Sequence, residues 1–152
     1  QKLQIFSLEV SRFRGQATST GGYLKVAEFP LRNLRAPDDA VITNDAQFIV
    51  TFDDWGAIGR TENAVVVYRG TGEYIKAWKL EDIFSEKEIK EFTKSTSSTW
   101  WRGEVRLTEN LSQDPIVVIS PESHMAFLDQ DQDRKFRGPV WFHVLKMTFE
   151  KL

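Results

Sequence analysis

The chain has 152 residues, of which 41% are hydrophobic and 12% aromatic, and this composition predicts one folded domain rather than a disordered segment. The net charge of −2 gives no general field that would attract nucleic acid, so we predict no nucleic-acid partner. Cysteine is absent, which excludes disulfides, thiolate metal sites and a cysteine nucleophile. No run approaches the roughly 18 apolar residues of a membrane-spanning helix, so we predict no transmembrane segment.

The chain opens at Gln1, without an initiator methionine. This start fits either a mature protein whose signal peptide has been removed or a trimmed chain. We therefore expect a periplasmic or secreted location.

The first predicted element is a long hairpin. Residues 3–13 alternate apolar and polar side chains, which predicts a half-buried strand. Residues 15–22, GQATSTGG, predict a flexible turn-rich loop, and residues 23–29 predict a second strand paired with the first. Pro30 and Pro37 then limit strand pairing in the connection that follows.

A four-strand meander is predicted next. Asn44 and Asp45 form a turn between the first two strands, while Gly70 and Gly72 supply a tight reversal before the fourth. The third strand is apolar at every position, which is typical of an interior strand between packed sheets. The four runs are residues 41–43, 46–53, 64–68 and 73–80. Such a meander forms one propeller-like blade or one sheet of a sandwich.

One short helix follows the meander. Ser85 and Glu88 have the spacing of a capping box, in which each side chain bonds the other residue's backbone N–H. Phe84 and Ile89 occupy the two positions of a hydrophobic staple around that cap. We predict that the helix ends between residues 92 and 94.

The meander pattern returns near the C-terminus. VITNDAQFIVTFDD, which begins at Val41, matches VISPESHMAFLDQD, which begins at Val118, so the offset is 77 residues (118 − 41). We predict a single β domain over residues 1–152 with two quasi-repeats, at about 36–84 and 113–152. The fold class is all-β, with antiparallel meander sheets, propeller-like blades of a partial propeller and one short helix; the alternative is a β-sandwich. Two repeats cannot close a ring, so open sheet edges offer a route to a homo-oligomer.

Two adjacent tryptophans stand before Arg102. Neighbouring residues on a strand point to opposite faces, so we expect one of Trp100 and Trp101 to be buried and the other exposed. An exposed ring beside Arg102 and Glu104 would stack on a sugar or a peptide. The alternative is that both rings pack inside the protein.

Half of the chain, residues 36–104, resembles a group of uncharacterised bacterial exported proteins with propeller-like repeats. The pattern is T-x-D-x-W, then V-V-x-Y, a turn with Gly, L-E-D-x-[LF] and S-S-x-W-W-R. It falls here on Thr51, Asp53, Trp55, residues 65–68, Gly72, residues 80–82 and residues 97–102. The resemblance implies a propeller-like fold and export, and it implies no particular reaction.

An acidic run lies in the second copy. Asp129, Asp131 and Asp133 alternate as calcium ligands do at the start of a binding loop. That loop also needs Gly at its sixth position and Glu at its twelfth, where this chain has Arg134 and Val140. We therefore predict a solvated acidic loop, and neither a metal nor a cofactor.

Catalytic motifs are missing from the sequence. It contains no G-x-S-x-G elbow, no H-E-x-x-H pair and no phosphate-binding glycine loop. His124 and His143 fall on predicted strands among apolar neighbours, which indicates packed side chains. We predict no catalytic residue.

Two functions remain. The first is a non-catalytic binding or interaction module for a protein, peptide or glycan. Its predicted ligand-binding residues are Asp53, Asp54, Trp55, Trp101 and Arg102. The second is a hydrolase acting on glycans through Asp or Glu, since paired carboxylates cleave glycosidic bonds.

Overall fold

The computed structural model describes residues 2–8, 11–13, 16–18, 22–33, 36–53, 63–109, 114–120 and 139–151. The strands within them are β1 (Lys2–Leu8), β2 (Ser11–Phe13), β3 (Gln16–Thr18), β4 (Tyr23–Pro30), β5 (Asp39–Ile42), β6 (Phe48–Phe52), β7 (Val65–Arg69), β8 (Tyr74–Trp78), β9 (Thr93–Lys94), β10 (Thr99–Trp100), β11 (Val105–Glu109), β12 (Pro115–Ile119), β13 (Val140–His143) and β14 (Thr148–Lys151). The helices are α1 (Leu80–Ile83) and α2 (Glu86–Glu91). All strand pairs are antiparallel and the sheets are open, so the predicted all-β class is confirmed.

The first large sheet has the order β5-β6-β7-β8, a meander. Strand β7 is an interior strand, as its continuous apolar sequence predicts. Val65 and Val67 face one core cluster, while Val66 and Tyr68 face another on the opposite side of the sheet. The sheet is therefore buried on both faces, which explains why the strand shows no polar alternation.

The second large sheet has the order β11-β12-β13-β14, also a meander. It packs on the first sheet through a shared apolar core, in which Val50 and Val67 belong to the first sheet and Val117 to the second. Trp78 fills the seam between the sheets, with its ring centroid 5.1 Å from that of Phe142 in an edge-on arrangement. The two sheets thus share one apolar core, as adjacent propeller blades and the sheets of a sandwich do.

A third layer covers the opposite face of the first sheet. Strands β1 and β4 form a two-stranded ribbon, with Lys2 opposite Pro30 and a bulge between Ile5 and Phe6. Phe29 and Ile5 of this ribbon pack against the cluster that contains Tyr68. The predicted hairpin between the first strand and residues 23–29 therefore forms.

The far end of this hairpin differs from the prediction. The strand expected over residues 3–13 is divided into β1 and β2, and the loop expected over residues 15–22 contains β3, which pairs with β2. A bulge shifts the register between Ile5 and Phe6, which a simple alternation count does not reveal.

Two helices replace the single predicted helix. Strand β8 leads directly into α1, where the Asp82 carboxylate accepts a hydrogen bond from the Lys79 backbone N–H. Helix α2 has the expected capping box, with Ser85 and Glu88 each bonding the other's backbone N–H. The helix ends at Glu91, just before the expected boundary, and Ile89 packs on the core between the sheets.

The two hairpins aligned by sequence do not hold matching positions. Val41 lies in β5, the first strand of its sheet, while Val118 lies in β12, the second strand of the other. The second strand of the C-terminal copy, at residues 125–131, lies outside the described residues. The division of the chain into quasi-repeats stays a prediction.

Candidate functional site

Asp53 stands at the end of β6 and is buried. Its backbone N–H donates to the carbonyl oxygen of Ala64, which extends the β6–β7 ladder by one residue. Its Oδ2 accepts a hydrogen bond of 2.8 Å from Nδ2 of Asn33, which also donates to the Asn63 carbonyl oxygen at 3.2 Å. A buried carboxylate requires such donors, so Asn33 fixes the position of Asp53.

Trp101 is the buried member of the tryptophan pair. It is 3% exposed, while Trp100 is 38% exposed, so one ring is buried and the other is partly exposed, as predicted, and the alternative in which both pack inside is wrong. The Trp101 ring lies edge-on to Phe84, 5.9 Å between centroids, and its Nε1–H donates to the backbone carbonyl oxygen of Asp53 at 3.1 Å. Trp101 therefore holds the end of β6 and does not reach solvent.

Arg102 is also buried, next to the same strand end. Its Nη1 donates to the carbonyl oxygen of Gly103 at 3.2 Å and lies 3.5 Å from Oδ2 of Asp39. Its guanidinium carbon lies 5.6 Å from the centroid of the Phe52 ring. A planar guanidinium group over the face of an aromatic ring is a favourable arrangement for an arginine inside a protein.

The structure thus brings three of the five predicted residues together. Asp53 is joined by hydrogen bonds to Asn33 and Trp101, and these three residues form an internal cluster at the end of β6. Arg102 lies beside it, near the ring of Phe52. Asp54 and Trp55 lie outside the described residues, as do the acidic run at residues 129–133 and His124. The assignment of these five residues to ligand binding stays a prediction.

A second surface was not predicted from sequence. On the outer face of the first sheet, a cross-strand row runs through Ile42, Ile49, Tyr68 and Tyr74, each paired with the next. We call this set the outer row. Its two middle members are buried under the β1–β4 ribbon, while Ile42 and Tyr74 at its ends are 42% and 43% exposed.

The segment after β4 locks the ribbon to the outer row. The backbone N–H of Arg32 donates to the hydroxyl of Tyr68 at 2.8 Å, and the Arg32 guanidinium lies 4.7 Å from the centroid of Tyr74. Burial raises the pKa of Tyr68, so its hydroxyl stays neutral at physiological pH. Because Asn33 follows directly and bonds Asp53, this short segment joins the outer row to the internal cluster.

The far half of the ribbon leaves large apolar side chains in solvent. Phe6, Tyr23, Leu24 and Val26 are 49%, 76%, 55% and 56% exposed. We call the described residues of this N-terminal part, 2–8, 11–13, 16–18 and 22–30, the arm. The sequence does contain a signal for this surface. The apolar alternation of residues 3–13 continues beyond Leu3 and Ile5, the residues of β1 that pack on the first sheet. Exposed apolar side chains grouped in this way are typical of interaction sites.

No protein-family model matches the chain, and neither a curated protein nor a solved structure matches it. Among the described residues, no three His, Cys, Asp or Glu side chains are grouped to hold a metal ion. None of the helices in the described ranges has the length and apolar character needed to cross a membrane.

Proposed function

We propose that this chain is a non-catalytic binding module that acts outside the cytoplasm and holds a protein, peptide or glycan partner. The observation that carries the proposal is that one molecule exposes two apolar surfaces, the arm and the ends of the outer row. Phe6 and Leu24 mark the first, and Ile42 and Tyr74 the second. Aromatic and aliphatic side chains left in solvent on a rigid sheet provide binding energy at small entropic cost.

The internal cluster fixes a strand that carries part of this surface. Asp53, four residues after Ile49, is held by Asn33, and Trp101 binds the Asp53 carbonyl oxygen, so the far end of β6 is fixed before any partner arrives. A preorganised surface binds more tightly because less conformational entropy is lost on association. Asp53 acts here as a structural carboxylate.

An extracytoplasmic location is part of the proposal. Its support is the resemblance of residues 36–104 to exported proteins. Fractionation of the source cells, with detection by an antibody against this chain, tests it. Recovery together with a cytoplasmic marker enzyme contradicts it.

Binding to an immobilised random-peptide library and to a glycan array tests the function. We expect selected probes to bind the unaltered protein and to lose about tenfold in affinity with Tyr74→Ser, since a few aromatic contacts contribute most of the binding energy at interfaces. Leu145→Ser, which alters an equally exposed apolar side chain on another part of the molecule, is the matched control.

A glycan-hydrolysis panel provides the opposing test. Turnover that the Asp53→Asn variant abolishes, with the fold retained by circular dichroism, would reject the non-catalytic proposal in favour of the hydrolase. Probe binding that is equal in the unaltered protein and in Tyr74→Ser would reject the proposed surface.

A further inference from the structure

The arm is apolar on both of its faces. Phe6 is paired with Lys25, and Ser7 with Leu24, so Phe6 and Leu24 point to opposite sides of the ribbon. Both side chains are about half exposed, at 49% and 55%. Both faces of its far half therefore offer apolar surface to a partner. A two-stranded ribbon by itself is only marginally stable in water, so contact with a partner would stabilise it.

The base of the arm is anchored to the first sheet. Phe29 packs against Gly72, whose φ of +92° and lack of a side chain leave room for the ring. Arg32 bonds the Tyr68 hydroxyl directly after the arm ends. The arm is therefore anchored at its base, while its far half carries the exposed side chains.

The outer row of the same protein is an apolar surface of matching chemistry. The arm of its own chain covers Ile49 and Tyr68 and leaves Ile42 and Tyr74 open on either side. This face thus already accepts the apolar residues of one such ribbon, and it has uncovered apolar positions beside that ribbon.

Charge also matches the arm to a second copy. Residues 1–30 contain four basic and two acidic side chains, a net of +2, whereas residues 31–152 contain sixteen basic and twenty acidic ones, a net of −4. The arm is therefore attracted to the body of any copy of this protein, and opposite net charges accelerate encounter.

An anionic lipid surface fits the arm less well. Lys2 and Lys25 are both bound to the Glu28 carboxylate, at 2.7 and 2.9 Å, so they do not provide the free basic cluster that anionic headgroups attract.

We propose that the arm of one copy docks beside the arm of a second copy on that copy's outer row, so that two chains form a reciprocal dimer. The inference rests on the proposed function of this surface and names its partner. Each chain carries both an arm and a row, so a two-fold axis satisfies both contacts at once.

Light scattering after size-exclusion chromatography, over about a hundredfold range of protein concentration, tests the proposal. We expect the mass of the unaltered protein to double as concentration rises. An arm variant, Phe6→Ser with Leu24→Ser, and a row variant, Ile42→Ser with Tyr74→Ser, should each stay monomeric. Leu145→Ser should associate as the unaltered protein does.

Mixing supplies a control against misfolding. The arm variant retains its row and the row variant retains its arm, so an equimolar mixture restores one of the two contacts. We expect the mixture to form a dimer that neither variant forms alone, with at least tenfold weaker association than the unaltered pair.

An unaltered protein that stays monomeric throughout, or a dimer that the arm variant forms equally well, overturns the proposal. Sedimentation of the monomer with phosphatidylglycerol vesicles, lost in the arm variant, would assign the arm to a lipid surface and also overturn it. Peptide or glycan probes that still depend on Tyr74 in a monomeric protein would leave the proposed function standing without the dimer.

Discussion

The indole Nε1 of Trp101 donates a hydrogen bond to the backbone carbonyl oxygen of Asp53 across 48 residues of sequence, at 3.1 Å. The bond ties the segment before the second large sheet to the residue that follows β6 in the first. Both partners are buried, so water cannot replace either one. Trp101 therefore acts as a clamp between the sheets as well as a core residue.

We expect Trp101→Phe to lower the free energy of unfolding by about 1–3 kcal/mol, because the Asp53 carbonyl loses a buried donor and the smaller ring leaves a gap. Urea denaturation monitored by circular dichroism measures the change. Trp100→Phe, at the exposed neighbour, should change it by less than about 0.5 kcal/mol and should reduce the fraction of fluorescence quenched by acrylamide. Equal effects of the two substitutions would contradict the assigned orientations.

Asn33→Asp places a second carboxyl group against that of Asp53, in contact with its Oδ2. Two ionised carboxylates in a buried site repel each other, so we expect a loss of stability of about 2 kcal/mol or more at neutral pH. The loss should shrink as pH falls and one of the two groups takes up a proton. Gln47→Glu, which adds the same charge at an exposed position, should have little effect. A pH-independent loss would argue against direct contact between the two groups.

The contact between Glu88 of α2 and Lys151 of β14 should be sensitive to acid. Partial burial acts to raise the pKa of Glu88, but hydrogen bonds from Lys151 and Ser85 outweigh it and lower the pKa from 4.5 to about 2. A carboxyl whose pKa is lower when folded stabilises the protein above its unfolded pKa, and the contribution is lost as pH falls through the folded pKa. The stabilisation should therefore decline between about pH 4.5 and about pH 2.

Thermal melts across that window measure the contribution. Glu88→Gln should give a flatter decline than the unaltered protein, because the amide does not titrate. The pKa of Glu28 is also lowered to about 2, by Lys2 first and then Lys25 and Gln4, so only the difference between variant and parent isolates Glu88. Glu86→Gln, at a loose 4.0 Å pair with Lys90, is the control and should leave the decline as it is.

Gly72→Ala should lower the free energy of unfolding by about 2 kcal/mol. Gly72 has φ of +92°, which side-chain-bearing residues rarely adopt, and an added Cβ would clash with the Phe29 ring at the base of the arm. Gly22→Ala, where an added Cβ meets nothing within 4 Å, is the matched control. Similar stability for both variants, measured by urea denaturation, would show that the arm does not pack on this turn.

Local features were predictable from the sequence because their causes lie within a few residues. The Ser85 and Glu88 capping box depends only on their spacing, and it forms as expected. The continuous apolar run of β7 required burial on both faces wherever the strand lay, and both faces are buried. Alternation likewise required Trp100 and Trp101 to face apart, but it left open which ring would be inside.

That choice and the outer row were decided by the tertiary structure. Trp101 is the inner ring because Phe84 and the Asp53 carbonyl, both far away in sequence, lie on its side of the chain. The outer row joins Ile42 to Tyr74 through the registers of three strand pairs, one of which contains a bulge. The sequence determined the strands and their apolar faces, because hydrophobic periodicity is a local property. Strand register and the third layer determined which apolar side chains stayed in water, because the burial of a side chain depends on what packs against its face of the sheet.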